Sequence, residues 1–157
     1  MRSNFMDILG AVVAGIVATI VFSMILELGP KMGMPKMDIV GLLGSMFGAP
    51  GNRMLGWVIH FMMGVIFAII YALLWDSGIG GDGSIVVSGA LFGAVHWLLV
   101  GLIMGMVPMM HAGIKSGDVT APGIYMTKNG GMMAFVGGLI GHVVFGLVVA
   151  LVYNSYL

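Results

Sequence analysis

Histidines inside apolar runs are the residues of this chain whose type and spacing point to chemistry. His60 and His142 each begin the same pattern, with a glycine four residues later, an alanine after eight and a tyrosine after eleven. His96 lies in a third apolar run, beside Trp97. Ionisable side chains are costly in lipid, so they face a protein interior or a cavity and mark a functional site by default. We therefore expect these imidazoles to point into a helical bundle.

Haem is the first cofactor hypothesis for these histidines. Neutral imidazoles on two helices can ligate the iron from both sides, so the repeated pair His60 and His142, with His96 as a further candidate, would suit haem b. The alternative is structural, because an uncharged imidazole that hydrogen-bonds to a neighbouring helix typically contributes about 1 kcal/mol. The residues alone leave both interpretations open.

Copper is the second cofactor hypothesis. The chain contains 17 methionines in 157 residues, and Met104, Met106, Met109 and Met110 come shortly before His111 or next to it. Thioether and imidazole ligands together suit Cu(I). Methionine is also an adaptable apolar side chain, so the same bunch can be read as packing at the end of a helix.

Four long apolar runs must position these residues, at about residues 8–29, 54–75, 84–110 and 131–153. Each is long enough to cross the hydrocarbon core as a helix, which takes about 20 residues. Apolar residues make up 60% of the chain and charged residues only 8%. We predict an all-α integral membrane four-helix bundle, a single transmembrane domain over residues 1–157 whose first partner is the lipid bilayer.

Two offsets suggest an internal repeat. Shifting the sequence by 82 residues aligns the two histidine patterns, and shifting it by 78 aligns Ala11, Gly15 and Pro30 with Gly89, Gly93 and Pro108. Because each unit then holds two spans, both units have the same orientation in the membrane. We predict two parallel two-span repeats, at about residues 1–80 and 81–157.

Small residues recur at every fourth position of the spans. Helices in lipid associate by close backbone approach over such rows. We therefore expect the rows to be contact faces, within the bundle and with other membrane helices in a homo- or hetero-oligomer. Their glycines are Gly15, Gly56, Gly64, Gly89, Gly93, Gly138 and Gly146.

The connections differ in character. The first contains a short apolar stretch, residues 37–47, which predicts an interfacial or re-entrant helix with Asp38 as its N-terminal cap. The second, residues 76–83, is a short glycine-rich turn, and the third, residues 111–130, predicts an irregular loop.

Charges are few and lie almost entirely outside the spans; Glu27, near the end of the first, is the exception. Five basic residues lie in the first and third connections (Lys31, Lys36, Arg53, Lys115 and Lys128), against Arg2 alone on the other side. The positive-inside rule then puts these two connections in the cytoplasm and both termini outside.

Several function classes are excluded or disfavoured. With no cysteine, the chain has no disulfide, thiolate metal site or thiol nucleophile. A formal net charge of zero without a basic run gives nucleic acid nothing to bind. No nucleophile elbow, His-Glu-x-x-His sequence or paired-carboxylate arrangement is present. We expect a non-enzymatic role.

Residues 35–46, followed by residues 56–61 and 141–147, resemble an uncharacterised family of small four-span prokaryotic membrane proteins. The resemblance covers most of the chain and implies four spans, the histidine positions and a prokaryotic inner (cytoplasmic) membrane, but no activity. We expect an accessory or assembly subunit of a larger membrane complex, with a haem- or copper-binding membrane protein as the alternative.

Overall fold

A computed structural model describes residues 7–81 and 84–157, and all regular secondary structure in that part of the chain is helical. The four long helices are α1 (Ile8–Leu28), α3 (Arg53–Asp76), α4 (Ile85–Ile103) and α6 (Thr127–Asn154). Two short helices, α2 (Ile39–Gly44) and α5 (Ala112–Lys115), lie in the first and third connections. The prediction of an all-α, four-span protein is confirmed.

Each long helix is long and apolar enough to cross a membrane; in α6 this holds for Gly130–Asn154. Large apolar side chains cover the outside of the bundle, as at Ile66 (46% exposed) and Val95 (53% exposed). So broad an apolar surface is unfavourable in water, whereas contact with the hydrocarbon core of a bilayer requires an apolar surface. The chain is an integral membrane protein.

The third span is shorter than the apolar run that predicted it. It ends at Ile103, and the chain continues through a 3-10 turn at Val107–Met109 instead of as a helix to residue 110. Gly105 and Pro108 explain the difference, because glycine weakens a helix and proline lacks the N–H that the next helical hydrogen bond needs. Hydropathy alone does not register either effect.

Glycines set the packing order, in which α1 lies between α3 and α6, and α6 lies between α1 and α4. A Cβ added to Gly15 would lie 2.7 Å from the Cα of Val65 on α3, and one added to Gly93 would lie 2.9 Å from the Cα of Val143 on α6. Only glycine permits such backbone approach. The glycine rows are therefore occupied by contacts within the chain.

By contrast, the backbones of α3 and α4 rarely approach each other closely. Side chains such as Phe67 and His96, whose rings stack with centroids 3.7 Å apart, occupy part of the space between them. At one end Trp75 closes the gap: its Nε1 donates to the Ser88 hydroxyl over 2.8 Å, and its ring stacks on that of Tyr153 with centroids 5.7 Å apart. The gap left elsewhere between α3 and α4 positions the candidate site.

Helix α2 lies at the opposite end and packs on the start of α3. Asp38 caps it, as predicted, by accepting from the Gly41 N–H over 2.9 Å, and it also forms a 2.8 Å ion pair with Arg53. The helix is shorter than the predicted stretch of residues 37–47, because the chain turns after Gly44.

The first and third connections are joined by backbone hydrogen bonds. The Ala112 N–H donates to the Met46 carbonyl over 3.0 Å, and the Gly113 N–H donates to the Ser45 carbonyl over 2.9 Å. The third connection is mostly irregular, as expected, but contains α5 and a 3-10 turn at Ile124–Met126. The first and third connections thus meet at the same end of the bundle.

The internal duplication stays a prediction. Gly15 meets Gly64 and Val65, whereas Gly93 meets His142 and Val143. The sequence pattern aligns Gly64 with Gly146, so the α4–α6 contact lies one helical turn away from the expected register. Arg2, which entered the argument about orientation, and Asp82 and Gly83 of the second connection lie outside the described residues.

Candidate functional site

A central cavity of about 100 Å³ lies among the four spans and α2. It receives all three intramembrane histidines, each from a different helix: His60 from α3, His96 from α4 and His142 from α6. The other lining residues are largely apolar: Thr19, Phe22, Ile39, Leu42, Leu43, Met63, Gly64, Phe67, Trp97, Val100, Met104, Met126 and Phe145. Ligand sites typically combine such an apolar wall with a few polar groups.

The hydrogen bonds of His60 settle which of its nitrogens carries the hydrogen. Its Nε2 lies 3.1 Å from the Ser23 hydroxyl oxygen. That hydroxyl donates its single hydrogen to the Thr19 carbonyl over 2.7 Å, so it can only accept from the imidazole. Nε2 therefore carries the hydrogen and Nδ1 keeps a lone pair.

His142 has the opposite tautomer. Its Nδ1 lies 2.8 Å from the carbonyl oxygen of Gly138, one turn earlier on α6. A carbonyl only accepts, so Nδ1 carries the hydrogen and donates it. Nε2 of His142 is left with its lone pair.

His96 joins α3 to α4 in the middle of the bundle. Its Nδ1 lies 3.1 Å from the hydroxyl of Tyr71, and its ring stacks on that of Phe67 with centroids 3.7 Å apart. Its ring centroid lies 4.8 Å from that of His142, at an interplanar angle of 88°. His96 and His142 are thus in direct contact.

The pair expected from the repeat, His60 and His142, shares an aromatic neighbour. Phe22 of α1 contacts both rings, with centroid distances of 6.0 Å to His60 and 5.0 Å to His142. A haem iron with two axial imidazoles needs a flat macrocycle between them. Phe22 contacts both rings of the His60–His142 pair, and the rings of the His96–His142 pair contact each other directly. The arrangement therefore does not fit haem b.

Trp97 adds an unpaired donor to the cavity wall. Its side chain is 2% exposed, and its Nε1 is a buried polar atom for which the described residues provide no hydrogen-bond partner. Its ring lies 5.0 Å from that of His142. An unsatisfied buried donor costs about 1–3 kcal/mol.

A smaller charged cavity of about 70 Å³ adjoins the first at the α2 end, and His60 lines both. Glu27, which the sequence placed near the end of the first span, lines this cavity together with Lys36, Asp38 and Arg53.

Burial alone would raise the pKa of Asp38. The hydrogen bond from Arg53, the Gly41 N–H and the charges of Arg53 and Lys36 outweigh that effect and lower the pKa.

The methionines proposed from sequence as copper ligands are largely exposed. Met106, Met109 and Met110 are 61%, 71% and 84% exposed, whereas His111 is buried. Both ring nitrogens of His111 are engaged: Nε2 donates to the Leu42 carbonyl over 2.7 Å, and Nδ1 accepts from the Ile114 N–H over 3.1 Å. His111 therefore caps α5 and holds α2, and it has no free nitrogen for a metal.

Two thioethers line the central cavity: Met63, which the sequence reasoning missed, and Met104, which it grouped with the methionines before His111. The signal for Met63 was helical spacing, because it follows His60 by three residues and so lies on the same helix face. Met104 lies just beyond the end of α4. The helix-contact glycines Gly56 and Gly138 lie nearby, Gly56 against α2 and Gly138 against the Trp97 ring.

Uncommitted imidazole nitrogens in an apolar cavity can accept a hydrogen bond or coordinate a soft ion. Among residues 7–81 and 84–157, no three His, Asp or Glu side chains form a group that could hold a metal ion. A tetrahedral zinc site or an oxygen-lined Ca²⁺ site therefore has no basis in this part of the chain.

Comparison with known proteins places the chain only at the level of its family. No curated protein and no solved structure matches it. A family model described as "Family of unknown function (DUF6789)" matches residues 5–157, nearly the whole chain. Because this match covers far more than half of the sequence, the chain belongs to that family of unknown function.

Proposed function

We propose that this protein binds a small ligand inside the membrane, in the central cavity, through imidazole nitrogens. The observation that carries the proposal is the convergence of three histidines from three spans on one cavity. Two of them, His60 and His142, keep a ring nitrogen with a free lone pair. Ionisable groups are energetically costly in a bilayer, and ligand binding would account for the presence of these histidines.

A role as an accessory subunit of a larger complex draws less support from the fold. The glycine rows that suggested contacts with other membrane helices are used by contacts between α1 and α3 and between α4 and α6. The outer surface instead carries large apolar side chains, such as Ile66 and Val95, that suit lipid as well as a partner helix. Neither role requires catalysis.

We propose a prokaryotic inner membrane as the location, with the first and third connections in the cytoplasm. The hydrogen bond from the Ala112 N–H to the Met46 carbonyl and that from the Gly113 N–H to the Ser45 carbonyl support a common side for these two connections. The basic residues in them support the cytoplasmic side.

Native mass spectrometry of the full chain, extracted from the native membrane in mild detergent, tests the proposal. The wild type should carry an additional small mass that is absent from His142→Phe. The matched control is Met62→Leu, at a position 52% exposed on the lipid side of α3, which should retain the mass. Masses of partner chains would favour the accessory role, and the bare chain alone would contradict ligand binding.

A further inference from the structure

His96 and His142 have the geometry of a pair that shares one ion. Their ring centroids lie 4.8 Å apart. Two imidazoles that coordinate the same metal through bonds of about 2 Å have ring centroids roughly 5–6 Å apart. The observed centroid distance is therefore close to that of two ligands of one ion.

The outer hydrogen bonds of the two rings match those of metal ligands. A ligating histidine generally donates its other ring N–H to an oxygen, which fixes the tautomer and the direction of the ring. His142 donates from Nδ1 to the Gly138 carbonyl, and Nδ1 of His96 lies 3.1 Å from the Tyr71 hydroxyl oxygen. When His96 donates to Tyr71, the Nε2 atoms of both rings carry lone pairs.

The remaining lining of the cavity selects a soft ion. The thioethers of Met63 and Met104 line the same cavity as the two imidazoles, and no carboxylate does. Hard cations such as Mg²⁺ and Ca²⁺ require oxygen ligands, whereas thioether and imidazole ligands suit Cu(I). A single positive charge is also less costly to bury in an apolar site than a double charge.

We infer that His96 and His142 bind one Cu(I) ion in the central cavity, with the thioether of Met63 or Met104 as a further ligand. The inference rests on the proposed ligand-binding function and names its ligand. Tyr71 is a positioning residue, because it acts on the ion only through the orientation of His96.

The test is an anaerobic titration of the detergent-purified full chain with Cu(I), in competition with a chromophoric Cu(I) chelator, followed by X-ray absorption spectroscopy of the complex. We expect one ion per chain, with nitrogen and sulfur neighbours. His142→Phe should abolish binding. Tyr71→Phe keeps the aromatic ring and should weaken the affinity roughly 10–100-fold, the usual effect of removing an outer hydrogen bond to a metal ligand.

The double variant Met109→Leu/Met110→Leu is the matched control, because these exposed thioethers lie outside the cavity, and its affinity should equal that of the wild type. Failure of the wild type to compete for Cu(I), an affinity that Tyr71→Phe leaves unchanged, or a loss of binding in the control would overturn the inference. An additional organic mass that depends on His142, without Cu(I) binding, would overturn it and uphold the proposed function.

Discussion

The imidazole rings of His96 and His142 touch, with centroids 4.8 Å apart and planes at 88°. The contact follows from the close packing of α4 on α6, where a Cβ on Gly89 would lie 2.6 Å from the carbonyl oxygen of Gly146. Because α3 stays away from α4, the space on the other side of the two rings is left as the central cavity.

Gly93→Leu should destabilise the bundle. An added side chain would overlap the His142 carbonyl and lie 2.9 Å from the Cα of Val143 at its first carbon, so α4 and α6 must separate. Overpacking of this kind costs about 1–3 kcal/mol or more. Thermal unfolding in detergent measures the loss, and Val95→Leu, on the lipid side of the same helix, is the control. Equal melting temperatures for the two variants would show that this contact does not hold the helices together.

His111→Ala should loosen α2. The buried imidazole donates to the Leu42 carbonyl and caps α5, so its removal leaves polar groups without partners at a cost of about 1–3 kcal/mol. The control is Met110→Ala, next to it and 84% exposed. Unfolding in detergent should separate the two variants, and a His111→Ala protein as stable as the control would refute the structural role of this histidine.

The spans and the cap of α2 were predictable from the sequence, because they depend on local composition and on single residues such as Asp38. The pairing of histidines was not. Two equal patterns suggested His60 with His142, but Phe22 on a different helix contacts both, and the α4–α6 register brings His96 to His142. Such relations depend on how helices pack, which periodicity within one helix does not encode.

The role of His111 was likewise hidden in the sequence. Its position before a short helix offered a weak signal for a cap, whereas the adjacent methionines favoured a metal site. The partner of its second nitrogen, the Leu42 carbonyl, lies 69 residues away in the chain. Only the meeting of the first and third connections reveals it.

Low pH should weaken the attachment of α2. The pKa of Asp38 is lowered below its usual 3.8, because its hydrogen bonds and neighbouring cations outweigh the effect of burial. A carboxyl whose pKa is lower in the folded state contributes its full stability above the unfolded pKa and loses it as the pH falls through the folded pKa.

Because the Asp38 side chain is 44% exposed, this contribution is at most about 1 kcal/mol. Unfolding in detergent at pH 6 and at about pH 3, a window chosen from the usual pKa of a carboxyl, should show a smaller loss of stability for Asp38→Asn than for the wild type. Asp118→Asn, an exposed carboxyl in the third connection, is the control. An identical loss in the wild type and in Asp38→Asn would contradict the prediction.

The natural absence of cysteine makes the topology directly measurable, because each single substitution introduces the only thiol. Met32→Cys and Met110→Cys, at positions 81% and 84% exposed, should react with a membrane-impermeant maleimide from the same side. Leu157→Cys, at the end of the fourth span, should react only from the other side. Labelling of intact and inverted vesicles shows on which side each thiol lies. If Met32→Cys and Met110→Cys react from opposite sides, the proposed topology is refuted.

Nitrogen-15 NMR of the protein in lipid bilayers at neutral pH, with its four histidines labelled, tests the central claim most directly. The structure predicts an uncharged His60 with its hydrogen on Nε2 and an uncharged His142 with its hydrogen on Nδ1, each with a bare nitrogen whose signal shifts when a ligand occupies the cavity. Doubly protonated rings, or the opposite tautomers, would contradict a cavity lined by imidazoles that are free to bind.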